Sequence, residues 1–181
     1  MKSTATSVIL VDENDKELGF MEKLEAHQKG VLHRAFSIFI FNSKGELLLQ
    51  QRADIKYHSG GLWTNTCCSH PMPGENIDEA ASNRLMEEMG ISTRIKQGFD
   101  FIYKADFENG LIEYEFDHVF FGVSNDPPKM NLMEVQNWKY MSMDALAIEL
   151  EINPQHYTAW LKLCFSKVTR YIKEHQFQFI D

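Results

Sequence analysis

The sequence is short of cysteine, of long apolar runs and of basic charge. Three cysteines in 181 residues, two of them adjacent at Cys67 and Cys68, make a poor disulfide framework and point to a reducing, cytoplasmic setting. No apolar run approaches the roughly 20 residues of a membrane span, and Met1 to Ser7 lacks the charged-then-apolar pattern of a signal peptide. The expectation is a soluble, unexported protein. Acidic residues outnumber basic ones 26 to 18, a formal net charge of -8, which argues against general binding to nucleic acid or to anionic membranes. An anionic small substrate then requires a local cationic cluster or a divalent ion. Repeats, low-complexity tracts and dividing linkers are also missing, so residues 1–181 read as one domain.

What is present suffices for a sizeable core, with 44% hydrophobic and 12% aromatic residues. Ser7 to Asp12 and Glu17 to Met21 read as an opening hairpin, and Glu22 to Gln28 as a helix ending near Gly30. His27 and His33 share no helical face, so a joint role depends on the turn at Gly30. AFSIFIFN, the turn Ser43-Lys44-Gly45 and ELLLQQR form the strongest hairpin signal. Ile77, Ala81, Leu85 and Met89 recur every fourth residue until Gly90 and predict an amphipathic helix. Strands on either side of Asn109-Gly110 follow, then a closing strand from Val135 to Met141 and a short helix from Asp144 to Glu151. A long helix is expected from Asn153-Pro154 to about Glu174. The fold class is α+β: a mixed β-sheet flanked by helices, with an N-terminal hairpin and a long C-terminal helix.

Gly61 to Pro71, GLWTNTCCSHP, sets two thiols before a histidine in what reads as a turn-prone loop, a frequent seat of function. Read alone it offers a reactive thiol or half a zinc site. Downstream, Glu113, Glu115 and Asp117 share one strand face, where three carboxylates repel unless water or a cation screens them. Arg84 and Glu88, one helical turn apart, fit a surface ion pair worth a few tenths of a kcal/mol, roughly.

Taken together, LHRAFSIFIFN, LLLQQR, TNTCCSHP, the helix ending EEMG and the strand LIEYEFDHVF resemble the type I isopentenyl-diphosphate isomerases, a family with a Nudix-like fold. The resemblance runs in order from about Val8 to Trp160. The family's Nudix box, aligned on its glycine end, falls on Ser69, Glu75, Asn83, Arg84, Leu85, Glu87, Glu88, Gly90 and Ile91. Ser69, Asn83 and Arg84 depart from the consensus. Loss of a glutamate at position 84 weakens the alternative of a Nudix hydrolase acting on nucleoside or prenyl diphosphates, since that chemistry uses several helix carboxylates to hold Mg²⁺.

The resemblance implies a divalent ion, Mn²⁺, Mg²⁺ or Zn²⁺, held by His27, His33, His70, Glu113 and Glu115. A second ion, Mg²⁺, would bridge Glu88 to the diphosphate, with Arg52, Lys56, Arg84 and Lys23 assisting. Glu115, helped by Tyr103, is assigned to protonation and Cys68 to deprotonation, through a tertiary carbocation faced by Trp160. Periodicity alone places Trp160 in the core instead. The implied partner is a small diphosphate in isoprenoid biosynthesis, and the implied assembly a monomer or weak dimer. His58-Ser59-Gly60 stands where the family usually has aromatic-Pro-Gly. A third class, a non-catalytic binding module on a worn Nudix scaffold, would lack an assembled metal site.

Overall fold

The computed structural model describes residues 7–56, 58–107, 109–175 and 177–178. The reading of Met1 to Ser7 as free of a signal pattern therefore lies almost wholly outside the described residues. Elements follow as β1 (Ser7–Val11), β2 (Glu17–Glu22), α1 (Lys23–Lys29), β3 (His33–Phe41), β4 (Glu46–Arg52), β5 (Trp63–Thr64) and β6 (Cys67–Ser69). They continue as α2 (Ile77–Met89), β7 (Ile95–Asp106), β8 (Ile112–Val123), β9 (Val135–Ser142), α3 (Met143–Ile152) and α4 (Ala159–Glu174). Among the described residues no helix is long and apolar enough to cross a membrane.

β3 is the axis of the mixed sheet. Along one edge it pairs in parallel with β8 from His33↔Glu115 to Phe41↔Val123. Its other edge is divided among β1, β6 and β4. Here the expected β3–β4 hairpin takes an unexpected form: the strands pair only at Phe41↔Leu47, after which β4 leaves to pair with β9 and β5. The separation frees the middle of β3 for β6, so the stretch read as a loop around Cys67 and Cys68 carries two short strands, the second locked against Phe36, Ser37 and Ile38.

Alternation along β3 and β8 divides the core between two faces. Phe36, Ile38, Ile40 and Phe120 pack with Ala81, Leu85 and Met89 of α2. Phe39, Phe41, Val119 and Phe121 pack with Trp160, Leu161, Cys164 and Val168 of α4. Each large side chain buried this way contributes about 1.5–3 kcal/mol. The α2 stripe and its stop are as expected: Asn76 caps the first turn by accepting from Asp78 N and Glu79 N, and Gly90 takes a left-handed φ of 64°. A β-carbon at Gly90 would sit 2.7 Å from the Lys129 carbonyl oxygen, so the helix end is also tightly covered.

The C-terminal helix starts later than expected. Pro154–His156 form a single 3₁₀ turn, and α4 begins at Ala159 after Thr158. Tyr157, 1% exposed, bridges to Trp63 between the two helical pieces, so tertiary packing of an aromatic interrupts what Asn153-Pro154 would otherwise start.

Candidate active site

The face of β3 and β8 that carries apolar residues under α4 turns polar toward the N-terminal ends of both strands. His33 and Ser37 continue the β3 row, and Glu113, Glu115 and Asp117 the β8 row, all of them buried. The parallel register sets His33 beside Glu115. His27 arrives from α1 because Gly30, in a left-handed conformation (φ 61°), ends that helix and turns the chain back into β3. The two histidines that share no helical face thereby meet, Nε2 to Nε2, at 3.3 Å. His70, just beyond β6, completes the group.

Three imidazoles converge on one carboxylate oxygen. Glu115 Oε1 lies 2.9 Å from His70 Nε2, 3.5 Å from His33 Nε2 and 3.9 Å from His27 Nε2. One ligand atom from each of these four residues lies within 4.8 Å of all the others, a grouping that could hold a metal ion. Protonation favours this use. Burial, then the neighbouring His70, pushes His27 down to about 3, and burial, then Lys23, pushes His70 down to about 4, so both are neutral at pH 7. His33 Nδ1 donates to the Val31 carbonyl oxygen at 2.8 Å, which fixes the ring with Nε2 facing the group. The donor set fits a divalent cation.

Glu115 would be raised by burial alone, but His70 and His33 outweigh that and hold it well below the usual carboxylate range. Glu113 is raised well above it, by burial and then by the charge on Glu115. Tyr103 Oη, on β7, donates to Glu115 Oε2 at 2.6 Å and lies 3.2 Å from Glu113 Oε2. The carboxylate face is thus buried rather than a solvated edge, and its two glutamates are shifted in opposite directions. Glu113 stands next to the four-residue cluster, its Oε1 3.5 Å from His58 Nε2.

A cavity of about 40 Å³ is lined by Cys68, His70, Tyr103, Glu113, Glu115 and Trp160, together with Lys23, Arg52 and His58. Cys68 comes from β6 and Glu115 from β8, on opposite edges of β3, so a thiol and a carboxylate reach one space from two sides. Burial raises Cys68 to about 12, Arg52 opposing and Glu88, Glu113 and Glu115 adding to it. Trp160 belongs to the core under α4 and also lines the cavity, held by an indole hydrogen bond to Asn65 Oδ1 at 3.1 Å. The Arg52 guanidinium rests 5.1 Å from its ring centroid.

The remaining sequence-chosen cations are spread over a larger basin of about 650 Å³ that takes in Lys23, Lys56 and Arg84. Arg84 bonds Glu88 and Glu87 at 2.6 Å each and reaches Glu134 at 3.7 Å, while Lys56 pairs with Glu134. The surface-pair reading of Arg84 and Glu88 understates the contact, because Glu88 is 5% exposed and also accepts from Gln50 Nε2 at 3.0 Å. Glu88 stands outside the histidine cluster.

Sequence reasoning missed a polar scaffold beneath these groups. Asn65 Nδ2 donates to the Ile38 and Cys67 carbonyls, Thr66 Oγ1 donates to Leu48 O and accepts from Ile40 N, and Gln50 Nε2 donates to Thr66 O. Three successive buried polar residues, Thr64 to Thr66, were the available signal, since such groups persist inside a protein only when bonded. Ser37 was missed as well; it lines the cavity and donates to buried Asp117 at 2.7 Å.

A family model described as the NUDIX domain matches residues 31–161. An isopentenyl-diphosphate Delta-isomerase of Pectobacterium atrosepticum is 52% identical over 166 residues, 92% of this chain and 93% of that protein. Isopentenyl-diphosphate Delta-isomerase 2 of Aromatoleum aromaticum is 51% identical over 161 residues, 89% of this chain and 85% of that protein. Among solved structures, DR0079 from Deinococcus radiodurans superposes with a TM-score of 0.75 at 17% identity, covering 89% of this chain and 98% of its own, a likeness of fold. MutT protein from Methanosarcina mazei gives 0.64 at 19% identity, over 81% of this chain and 96% of its own.

Proposed function

The chain belongs to the isopentenyl-diphosphate Delta-isomerase family of NUDIX-domain proteins, and from that premise we propose that it converts isopentenyl diphosphate to dimethylallyl diphosphate for isoprenoid biosynthesis. One observation carries the reading: the Cys68 thiol and the Glu115–Tyr103 pair line a single cavity, Cys68 and Glu115 coming from opposite edges of β3, with Trp160 beside them.

The reaction adds a proton to the terminal carbon of the double bond and removes one from the allylic carbon, so no net proton is consumed. An acid and a base on two sides of the substrate suffice. Glu115, its second oxygen bonded to Tyr103 Oη, gives the first proton, and Cys68 takes the second with the Arg52 guanidinium to stabilise its thiolate. The raised Cys68 and the lowered Glu115 favour thiol and carboxylate over thiolate and acid, so this direction requires a proton transfer from Cys68 to Glu115 before turnover. The reverse reaction starts without that transfer. Trp160 offers its ring face to the tertiary cation, in a position where the ring already faces a guanidinium.

His27, His33, His70 and Glu115, with Glu113 adjoining, would hold the resident divalent ion. Three nitrogen donors favour Mn²⁺ or Zn²⁺ over Mg²⁺, which prefers oxygen. When bound, that ion supplies positive charge that orients Glu115, and Mg²⁺ at Glu88 supplies charge that neutralises the diphosphate. Lys23, Arg52, Lys56 and Arg84 bind the phosphates directly. The partner is a small diphosphate rather than a nucleic acid, and a monomer or weak dimer in the cytoplasm suffices for such a substrate.

The test is conversion of isopentenyl diphosphate with Mg²⁺, with and without a chelator. Dimethylallyl diphosphate is expected from the wild type alone, and none from Cys68→Ala. Release of inorganic phosphate or a monophosphate in place of the isomer would assign the chain to hydrolysis.

A further inference from the structure

Three spaces lie in succession through the site. The cationic basin of about 650 Å³ shares Lys23, Ser69 and His70 with the inner cavity of about 40 Å³. That cavity in turn shares His58 with an outer groove of about 430 Å³, whose lining mixes Leu62, Phe107, Tyr157 and Ala159 with polar residues such as Asp106 and Lys162. A diphosphate held in the basin therefore directs its hydrocarbon through the narrow cavity toward His58. Beyond that imidazole lies further room whose apolar side could take more hydrocarbon.

His58 is held as a wall would be. Its ring centroid is 5.2 Å from that of Phe107, and it meets Trp160 edge-on at 6.1 Å and His27 edge-on at 5.8 Å. Nε2 is 3.5 Å from Glu113 Oε1 and Nδ1 is 3.3 Å from Ser59 Oγ. The backbone behind it is fixed as well. Ser59 takes a φ of 52°, a conformation that a residue with a side chain keeps only when its surroundings impose it. At Gly60, a β-carbon would lie 2.7 Å from the Asp54 carbonyl oxygen, so the loop is pressed against its own base.

We propose that His58 sets the length of hydrocarbon that this site accepts. Its imidazole closes the inner cavity behind a branched five-carbon group, and a small residue in its place joins the cavity to the groove and admits longer tails. The inference rests on reading the site as one for a five-carbon diphosphate. It deepens that reading, because the Cys68 and Glu115 chemistry is indifferent to what lies beyond the reacting carbons.

The test compares full-length wild type, His58→Ala and His58→Gln. Binding of two unreactive saturated probes, 3-methylbutyl diphosphate and 3-methylheptyl diphosphate, is measured by calorimetry in the presence of Mg²⁺, and turnover of isopentenyl diphosphate is followed alongside. Rejection of an oversized tail by a closed apolar pocket is worth about 10–200-fold. Wild type is expected to bind the longer probe at least tenfold more weakly than the shorter one. His58→Ala should reduce that ratio at least tenfold, and His58→Gln, which keeps most of the volume, should leave it as in wild type. An unchanged ratio in His58→Ala overturns the inference, and so does an equal shift in both variants, which would mean that the imidazole acts on Glu113 rather than as a barrier. If circular dichroism shows His58→Ala unfolded, His58→Val carries the same comparison. Wild type that neither binds the shorter probe nor isomerises isopentenyl diphosphate overturns the functional reading itself, a distinct result.

Discussion

Two charged clusters stand side by side in this protein, and they are balanced in opposite ways. In the inner cluster, His27, His33 and His70 surround Glu115 with little positive charge of their own, because burial keeps His27 and His70 neutral. One ligand atom from each residue lies within 4.8 Å of the others, a grouping that could hold a metal ion. In the outer cluster Arg84 and Lys56 are already answered by Glu87, Glu88 and Glu134. Of the buried side-chain atoms described in that group, only Arg84 Nε lacks a hydrogen-bond partner, so an incoming diphosphate must displace carboxylates or bring a cation for them. The inner cluster is thus a grouping that could take up a cation, and the outer one is already ion-paired.

Replacing Glu115 by Gln should break this contrast most severely. The inner group loses its negative member while its volume is kept, and isomerisation is expected to fall about 10²–10⁴-fold, measured as dimethylallyl diphosphate formed per folded enzyme. A fall of less than tenfold would remove Glu115 from the chemistry.

Chelation tests directly whether the inner cluster holds a cation. A bound ion at a hundred times its Kd stabilises a fold by about 2.7 kcal/mol, so chelator should lower the wild-type Tm by roughly 5–10 °C. His70→Ala should show little further loss and little retained metal by elemental analysis, whereas Arg84→Ala should keep the wild-type metal content. Equal metal loss in both variants would mean that the two clusters form one site.

Disturbing the outer cluster through the backbone is milder. Gly90→Ala forces a β-carbon against the Lys129 carbonyl in a left-handed conformation and is expected to cost about 1–3 kcal/mol in urea unfolding. The inner ion should be retained, since α2 supplies none of the four clustered ligands. Loss of the ion in Gly90→Ala would show that the clusters depend on each other.

The smallest effect is reserved for the outer carboxylates. Glu134→Gln releases Lys56 and Arg84 from one competitor, and partly exposed pairs of this kind are worth about 0.2–1 kcal/mol. The KM for isopentenyl diphosphate should fall by up to about fivefold at an unchanged kcat. A rise in KM would mean that Glu134 takes part in holding the diphosphate and its Mg²⁺.

Local signals carried much of the fold. The four-residue recurrence from Ile77 to Met89 needed only Gly90 to define α2, and Asn109-Gly110 marks the turn between β7 and β8. They failed where a distant partner overrode them. The turn at Ser43-Lys44-Gly45 does join β3 to β4, yet β8, β6 and β9 compete successfully for the strands' edges. Asn153-Pro154 does start a helical turn, but burial of Tyr157 ends it before α4 begins.

The candidate site divides in the same manner. Residue types and their order supported the family resemblance, and His27, His33, His70 and Glu115 were all named from it. Residues alone left His27 and His33 on unrelated faces and three carboxylates on what was most simply a wet edge. His58 was visible only as a departure in a loop, because nothing in a local pattern says that a side chain will form the wall between two cavities.

By itself the sequence determined the helices, the strand alternation and the family, because these rest on periodicity, caps and residue identity, which act over a few residues or are matched position by position. Tertiary structure alone decided which groups are charged and which meet. Burial shifts the protonation of Cys68, Glu113, His27 and His70, and the parallel register of β3 with β8 brings His33 to Glu115 across 82 residues of chain. Desolvation and long-range register are properties of the packed molecule, and no stretch of the chain contains them.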